Sequence, residues 1–213
     1  MTAGAQSEFV YRFVPPPEGH PKSTLLLLHG TGGDEQDLIP LGRQLLPGAA
    51  LLSPRGRVLE HGMPRFFRRL AEGVFDLDDL KRQTDALAQF VGRASREYGL
   101  DENKIIAVGY SNGANIAASV LLTYPKVLAR AILFRPMVPF RPGVDPDTTA
   151  PDLKDVPVLL AAARHDQIVA PQQTSELSAI LVKAGARVTT HWHPGGHELG
   201  SDDVAAAKDW LSR

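Results

Sequence analysis

A serine held between two glycines is the residue of clearest chemical potential in this chain. Ser111 lies in Gly-Tyr-Ser-Asn-Gly at residues 109–113, after the apolar run Ile105–Val108 and before an alanine-rich helical pattern. A strand, Gly-x-Ser-x-Gly and a helix together predict a sharp turn that lifts the hydroxyl above the edge of a sheet. The glycines fit because a Cβ would clash with nearby backbone. The pattern predicts Ser111 as the nucleophile of an acyl transfer, and a chance pentapeptide in a turn is the alternative.

A glycine-rich segment after another strand could stabilise the oxyanion of such a reaction. Leu28 is followed by His29 and then by Gly-Thr-Gly-Gly at residues 30–33. Acyl transfer needs fixed N–H donors, which we predict to be the backbone groups of Thr31 and Asn112. A phosphate-binding loop is disfavoured, because no Lys-Ser/Thr follows and the spacing is not Gly-x-Gly-x-x-Gly. His29 precedes the nucleophile and is expected to shape the loop by hydrogen bonding.

An acid and a base follow Ser111 in the chain order Ser, Asp, His. Asp166 comes just after a buried apolar strand and is the predicted acid that orients the base. His197 follows a Gly-Gly turn after the last predicted strand and is the predicted base. The weaker alternatives for the acid are Asp147, Asp152 and Asp155, since no strand runs into them.

Two further histidines lie near His197. His191 and His193 alternate with Trp192 along a predicted strand and are interpreted as packing or surface residues. Three histidines within seven positions could also bind a metal, but no carboxylate stands at a useful spacing. We therefore expect neither a metal nor an organic cofactor.

The elements that must position these residues alternate between strands and helices. Short apolar runs predict strands at Phe9–Val14, Thr24–Leu28, Ala49–Ser53, Ile105–Val108, Ala131–Phe134, Val156–Ala162 and Arg187–Trp192. Amphipathic patterns predict helices at Glu35–Leu46, Leu77–Tyr98, Asn112–Tyr124, Gln172–Ala184 and Asp202–Leu211. Asp76 and Ser201 are predicted N-caps, and Gly99 and Gly185 are predicted helix ends. The alternation predicts one α/β domain over residues 1–213 with a largely parallel sheet, and the proline-rich stretch Arg135–Pro157 is predicted to be a surface loop.

Composition excludes several classes of function. The 213 residues carry 23 basic and 24 acidic side chains, a net charge of −1, so nothing favours a nucleic-acid partner or stable membrane association. The absence of cysteine excludes disulfides, thiolate metal sites and a Cys nucleophile. The first nine residues lack the pattern of a secretory signal, and a cytoplasmic location is the default expectation.

Arginine is unevenly distributed along the chain. Sixteen of the 23 basic residues are Arg, and five of them lie within fifteen residues around Phe66 and Phe67. These five are Arg55, Arg57, Arg65, Arg68 and Arg69. One interpretation is structural, through helix capping, a dimer contact or ion pairs with Glu72, Asp76 and Asp78. The other is that an arginine selects substrates bearing a carboxylate.

The motifs together resemble the phospholipase/carboxylesterase branch of the α/β-hydrolases, akin to acyl-protein thioesterases and small bacterial carboxylesterases. The resemblance implies a core of about seven strands, no large cap domain, frequent homodimers, and hydrolysis of carboxylic esters or thioesters. The segments Arg57–Arg69 and Leu133–Pro139 are similar to a bacterial subgroup of hydroquinone- or catechol-inducible hydrolases. Within them we predict substrate-binding residues at Phe66, Phe67, Arg68 and Met137.

The function expected from this resemblance is a serine carboxylesterase that cleaves small-molecule esters without a cofactor. A thioesterase or lysophospholipase could use the same Ser111, Asp166 and His197. A non-catalytic binding protein on the same scaffold is the alternative from a different class.

Overall fold

A seven-stranded mixed sheet runs through the part of the chain that the structure describes. The computed structural model describes residues 8–17, 23–146 and 148–213. The strands are β1 (Tyr11–Val14), β2 (Thr24–Leu28), β3 (Ala50–Pro54), β4 (Val58–Glu60), β5 (Met63–Arg65), β6 (Arg69–Ala71), β7 (Val74–Phe75), β8 (Ile105–Tyr110), β9 (Arg130–Phe134), β10 (Pro157–Ala163) and β11 (Arg187–His193). The main sheet has the order β1-β3-β2-β8-β9-β10-β11, and only the β1–β3 pair is antiparallel. The hairpins β4–β5 and β6–β7 lie outside it.

Helices cover both faces of this sheet. They are α1 (Ile39–Leu45), α2 (Leu77–Tyr98), α3 (Asn112–Thr123), α4 (Pro171–Lys183) and α5 (Ser201–Leu211), with a 3₁₀ turn at Glu102–Lys104. Helices α2, α3 and α4 contribute to one apolar core, and α1 and α5 to the other. None of the helices within the described ranges combines the length and apolar character needed to cross a bilayer.

Strand β2 shows how the sequence builds the two cores. Its side chains alternate between them, because Leu26 and Leu28 enter the α2–α3–α4 core whereas Leu25 and Leu27 enter the α1–α5 core. All four leucines are 0% exposed. Burial of such a side chain contributes about 1.5–3 kcal/mol. A strand buried on both faces therefore reads as a continuous apolar run rather than as an alternation.

The predicted α/β-hydrolase fold is confirmed, and all seven predicted strands are present. Helix α2 has its predicted bounds, and Asp76 caps it by accepting from the Asp79 N–H at 3.0 Å. Gly99 ends it in the left-handed conformation with φ 62°.

Two local predictions need correction, and one group of short strands was missed. Helix α1 begins at Ile39 rather than at Glu35, because Pro40 lacks an N–H and is tolerated only in a first turn. The N-cap of α5 is Gly200 rather than Ser201. The hairpin strands β4–β7 were not predicted, since runs of two or three residues show no readable period.

The start of α3 lies directly against the ends of β2 and β8. A Cβ on Gly113 would stand 1.9 Å from the carbonyl oxygen of Leu28, which is backbone and cannot swing away. A Cβ on Gly109 would stand 2.7 Å from the Cα of Ala114. The two glycines of the Gly-x-Ser-x-Gly motif are therefore required by close approach of the backbone.

We expect Gly113→Ala to lower the free energy of unfolding by about 3 kcal/mol, since overpacking against fixed backbone forces the helix off the sheet. Urea unfolding followed by circular dichroism measures the change. Gly92→Ala is the matched control, because a Cβ there meets only the Arg96 side chain at 3.6 Å. It should raise stability by up to about 1 kcal/mol. Equal effects of the two substitutions would contradict the close-approach argument.

Candidate active site

Ser111 lies in a strained turn between β8 and α3. Its φ of 52° and ψ of −114° fall in a region that non-glycine residues rarely adopt. The turn is held by a hydrogen bond from the Ser111 N–H to the Phe134 carbonyl at 2.9 Å. This backbone presents the hydroxyl at the carboxyl edge of the sheet and at the N-terminus of α3, where negative charge is favoured.

A chain of hydrogen bonds connects the three residues predicted as nucleophile, base and acid. The Oγ of Ser111 is 3.0 Å from Nε2 of His197, and Nδ1 of His197 is 2.8 Å from Oδ2 of Asp166. The other carboxylate oxygen of Asp166 accepts from the N–H groups of Ile168 at 2.8 Å and Val169 at 2.9 Å. The carboxylate is thereby fixed in place, with its side chain 1% exposed.

This arrangement determines what the imidazole can do. A carboxylate only accepts, so Nδ1 of His197 carries the proton and donates to Asp166. Nε2 is then left as an acceptor for the Ser111 hydroxyl. The side chain of His197 is 18% exposed, which leaves it accessible from solvent. Of the alternative acids, Asp152 accepts from the Lys154 N–H at an exposed turn, and Asp147 lies outside the described residues.

The two predicted oxyanion donors lie at the ends of neighbouring strands. Leu28 is paired with Gly109, so the segment after β2 adjoins the turn that carries Ser111 and Asn112. Within the described residues, the N–H groups of Thr31 and Asn112 make no hydrogen bond to another protein group. The side chains of both residues are tied down instead. Arg65 donates to Thr31 Oγ1 at 2.7 Å, and Asn112 Oδ1 accepts from the Phe66 N–H at 2.7 Å.

His29 shapes the loop after β2, as predicted. Its Nε2 accepts from the Gly56 N–H at 2.9 Å, which leaves the proton on Nδ1 to donate to the Gly30 carbonyl at 2.6 Å. The ring is buried, with 1% of the residue exposed, and burial lowers the pKa of His29 below its ordinary value of 6.5. A neutral imidazole therefore links two loops beside the site.

Comparison with known proteins agrees with this geometry. The sequence profile of the phospholipase/carboxylesterase family matches residues 10–213. The chain belongs to the phospholipase/carboxylesterase family. It is 46% identical to the Bacillus subtilis protein MhqD, described as a hydrolase, over 91% of this chain and 94% of MhqD.

Solved structures of similar proteins show the same fold. A carboxylesterase of Bacillus cereus is 46% identical, with a TM-score of 0.90 over 96% of this chain and 93% of the esterase. YahD, solved with malic acid, is 34% identical, with a TM-score of 0.86 over 96% of this chain and 98% of YahD. These relatives support an esterase-type hydrolase.

The arginine-rich segment of this family member is largely paired with protein acceptors. The acceptors are Glu35 for Arg55, Gln83 for Arg57, Phe67 O and Thr31 Oγ1 for Arg65, Asp76 for Arg68 and Glu60 for Arg69, at 2.5 to 3.2 Å, and Arg65 also forms an ion pair with Glu60 at 3.2 Å. Of the three predicted acidic partners, Asp76 is found, whereas Glu72 and Asp78 are not among these acceptors. Arg68 keeps a side chain that is 60% exposed. The structural interpretation therefore accounts for most of the segment.

The other predicted substrate-binding residues differ in their exposure. Phe66 and Phe67 are 1% and 0% exposed and belong to the α2–α3–α4 core, so their rings present no surface to a ligand in this structure. The burial of both rings contradicts the expectation that Phe66 and Phe67 contact the substrate. Met137 is partly exposed, and its N–H donates at 2.7 Å to Oδ1 of Asn115, a residue of α3 that lies one helical turn after Ser111. Met137 and Arg68 stay candidates for substrate contact.

The three histidines of residues 191–197 do not share one site, although His191 and His193 on β11 both lie near Oδ2 of Asp202, at 3.7 and 2.7 Å. His193 Nδ1 is 2.7 Å from Oδ2 of Asp202, whereas His197 faces Asp166 and Ser111. The expectation that no inward-facing carboxylate stands at a useful spacing is thus wrong, because Asp202 lies near both His191 and His193. Ligand atoms of His193, Asp202 and Asp203 lie within 4.8 Å of one another. Asp203 is bound by the guanidinium of Arg135, however, and that positive charge opposes a cation.

Two residues beside the site escaped prediction. The Tyr110 hydroxyl donates to the carbonyl of His197 at 3.2 Å, and burial raises the pKa of Tyr110. Arg135 is fully buried at the end of β9. A charged residue directly after a continuous apolar strand was the available signal for Arg135, because full burial of an arginine requires several acceptors.

We expect His29 to reduce stability as the pH falls. Its pKa in the folded state lies below the ordinary value of 6.5 that it has in the unfolded chain. At a pH between the folded-state and unfolded-state pKa values, the unfolded chain therefore binds more protons, and unfolding is favoured. The contribution of neutral His29 is complete above about pH 7 and is lost on acidification, with a slope of at most about 1.4 kcal/mol per pH unit. Urea unfolding at pH 7.5 and 5.5 should show a shallower pH dependence for His29→Gln than for wild type.

Exposed His61 provides the control for this measurement. His61→Gln should keep the wild-type pH dependence. If His29→Gln also kept it, His29 would not be the titrating group.

Proposed function

We propose that this chain is a serine carboxylesterase that hydrolyses small carboxylic esters through an acyl-enzyme on Ser111. The observation that carries the proposal is the unbroken chain of hydrogen bonds from Ser111 through His197 to Asp166, at 3.0 and 2.8 Å. Membership of the phospholipase/carboxylesterase family supports the same chemistry.

Acylation follows from these contacts. His197 Nε2 removes the proton of the Ser111 hydroxyl while Oγ attacks the ester carbonyl carbon. The carbonyl oxygen becomes an oxyanion, which the free N–H groups of Thr31 and Asn112 stabilise. Asp166 stabilises the imidazolium and keeps Nε2 directed at the reacting atoms.

Collapse of the tetrahedral intermediate returns the proton from His197 to the leaving alcohol oxygen, and the carbon–oxygen bond of the ester breaks. Water then enters, loses a proton to His197 and attacks the acyl-enzyme. Breakdown of the second intermediate releases the acid and restores the Ser111 hydroxyl. This sequence requires no metal or organic cofactor at any step.

We expect Ser111→Ala to lower kcat for a short p-nitrophenyl ester by about 10⁴-fold or more, because alanine has no hydroxyl to form the acyl-enzyme. Release of p-nitrophenolate measures kcat. A fluorophosphonate probe should label wild type at Ser111 and leave Ser111→Ala unlabelled, as read by intact mass.

Ser175→Ala is the matched control, since this exposed hydroxyl only donates to the carbonyl of Pro171 within α4. It should retain wild-type hydrolysis and labelling. Labelling of Ser111→Ala would place the nucleophile elsewhere, and an unlabelled wild type would exclude the serine mechanism.

Arg68 is proposed to favour substrates that bear a carboxylate. Its side chain is the most exposed among the ion-paired arginines of residues 55–69. Arg68 also lies two residues after Phe66, whose N–H donates to Asn112 Oδ1. YahD was solved with malic acid, a dicarboxylate, which is consistent with anion recognition in a relative.

The homodimer and the cytoplasmic location that the sequence predicts are also proposals. Light scattering tests the homodimer.

We expect Arg68→Ala to lower kcat/KM for a p-nitrophenyl hemisuccinate relative to p-nitrophenyl butyrate by about threefold to fivefold, the effect of an exposed ion pair. Arg82→Ala is the control, because Arg82 is 52% exposed and also pairs with an aspartate, Asp79. An unchanged ratio in Arg68→Ala would remove Arg68 from the substrate-binding residues. Comparing the hydrolysis of the p-nitrophenyl ester and of a thioester of butyrate in the same assay distinguishes an esterase from a thioesterase.

A further inference from the structure

A fully buried ion pair lies behind the loop that carries His197. Arg135 at the end of β9 and Asp203 in the first turn of α5 both have side chains that are 0% exposed. The two groups pair through two bonds, at 3.0 Å to Oδ1 and 2.7 Å to Oδ2 of Asp203. Arg135 has a φ of 55°, a strained value for a residue with a Cβ. This ion pair takes no part in the chemistry described above.

The remaining donors of Arg135 are directed at the backbone on both sides of His197. Nε donates to the carbonyl of Gly196 at 3.2 Å, and the nitrogen that binds Oδ2 of Asp203 also donates to the carbonyl of Glu198 at 2.8 Å. The carbonyl of His197 itself accepts from the Tyr110 hydroxyl. Three consecutive carbonyls are therefore held from beneath the loop.

The loop is fixed at one end to the segment after β10 and at the other to the first turn of α5. The His165 N–H donates to the carbonyl of Gly195 at 3.0 Å, and Asp203 accepts from the Gly200 N–H at 2.9 Å. Arg135 also donates to the carbonyl of Ala161 on β10. One guanidinium thus ties the His197 loop to β10 and to α5.

We propose that Arg135 is a positioning residue that holds His197 in register with Ser111 and Asp166. The inference rests on the proposed function, because it concerns the base of that reaction. The loop includes Gly195 and Gly196, and glycine is the residue with the greatest backbone freedom. A displacement of about 1 Å at a catalytic group can cost about 10²-fold in rate, so a loop of this kind needs a fixed frame.

Arg130, at the other end of β9, provides a comparison. Arg130 also donates to backbone carbonyls, those of Trp210 at 2.8 Å and Leu211 at 3.4 Å, and lies 4.1 Å over the Trp210 ring. It anchors the end of α5 rather than the loop before it. Arg130 at the start of β9 and Arg135 just after it therefore both donate to backbone carbonyls, and they differ in the segment that they hold.

The test must separate positioning from folding. Loss of Arg135 alone would leave the Asp203 carboxylate buried and unpaired, which destabilises proteins strongly. The double variant Arg135→Met/Asp203→Asn removes both charges together and keeps an oxygen to accept from the Gly200 N–H. Arg135→Lys retains the charge for Asp203, but a single ammonium cannot reproduce the planar fork that reaches both carbonyls.

We expect the double variant to fold, with kcat for a p-nitrophenyl ester lowered about 30- to 100-fold and KM within about threefold of wild type. Arg135→Lys should lie between the two, as a partial rescue. Labelling by the fluorophosphonate probe should slow by the same factor as kcat. The downfield NMR signal of the proton between His197 and Asp166 should broaden or disappear, whereas Arg130→Met should keep both kcat and this signal.

A folded double variant, or Arg135→Lys, with wild-type kcat and an intact downfield signal would overturn the inference. Should the double variant fail to fold, Arg135→Lys decides alone. Failure of the proposed function is distinguishable, because wild type would then resist the fluorophosphonate probe and Ser111→Ala would retain hydrolysis.

Discussion

The strained backbone turn at Ser111 is the constraint on which the arrangement of the site depends. A residue with a Cβ at φ 52° and ψ −114° costs of order 1–3 kcal/mol, and the conformation persists only where surrounding structure enforces it. Here the enforcement is steric. Helix α3 begins so close to β2 and β8 that positions 109 and 113 have no room for a side chain. Ser111, the proposed nucleophile, is therefore presented by the packing of the helix on the sheet rather than by contacts of its own side chain.

Parallel strands explain why the other groups meet Ser111. The carboxyl ends of parallel strands share one edge of a sheet, so the loops after β2, β8, β10 and β11 open onto the same place. The loops after β2, β10 and β11 are each fixed by a different set of hydrogen bonds. His29 links the first loop to Gly56, two N–H groups hold Asp166, and Arg135 holds the loop of His197. The framework is thus mostly backbone hydrogen bonding to buried polar side chains.

Sequence reasoning predicted the strands and the positions of Ser111, Asp166 and His197 because these depend on local pattern and chain order. It could not place Phe66 or the acceptors of the arginines, because burial and pairing depend on segments distant in the chain. The apparent local charge of residues 55–69 illustrates this point, since acceptors such as Glu35 and Asp76 lie outside that segment. The role of Arg135 could not be predicted from the sequence, because it depends on how β10, the His197 loop and α5 lie relative to one another.

The distribution of the site along the chain has a consequence for biosynthesis. Ser111 and His197 are 86 residues apart, and the base arrives on the loop between the last strand and the last helix. A nascent chain that has completed β1 through β10 carries Ser111, the proposed nucleophile, but not His197, the proposed base. On the proposed mechanism, hydrolytic activity is therefore acquired only once the C-terminal segment emerges and docks against the sheet, so activity reports the completion of folding rather than the formation of the core.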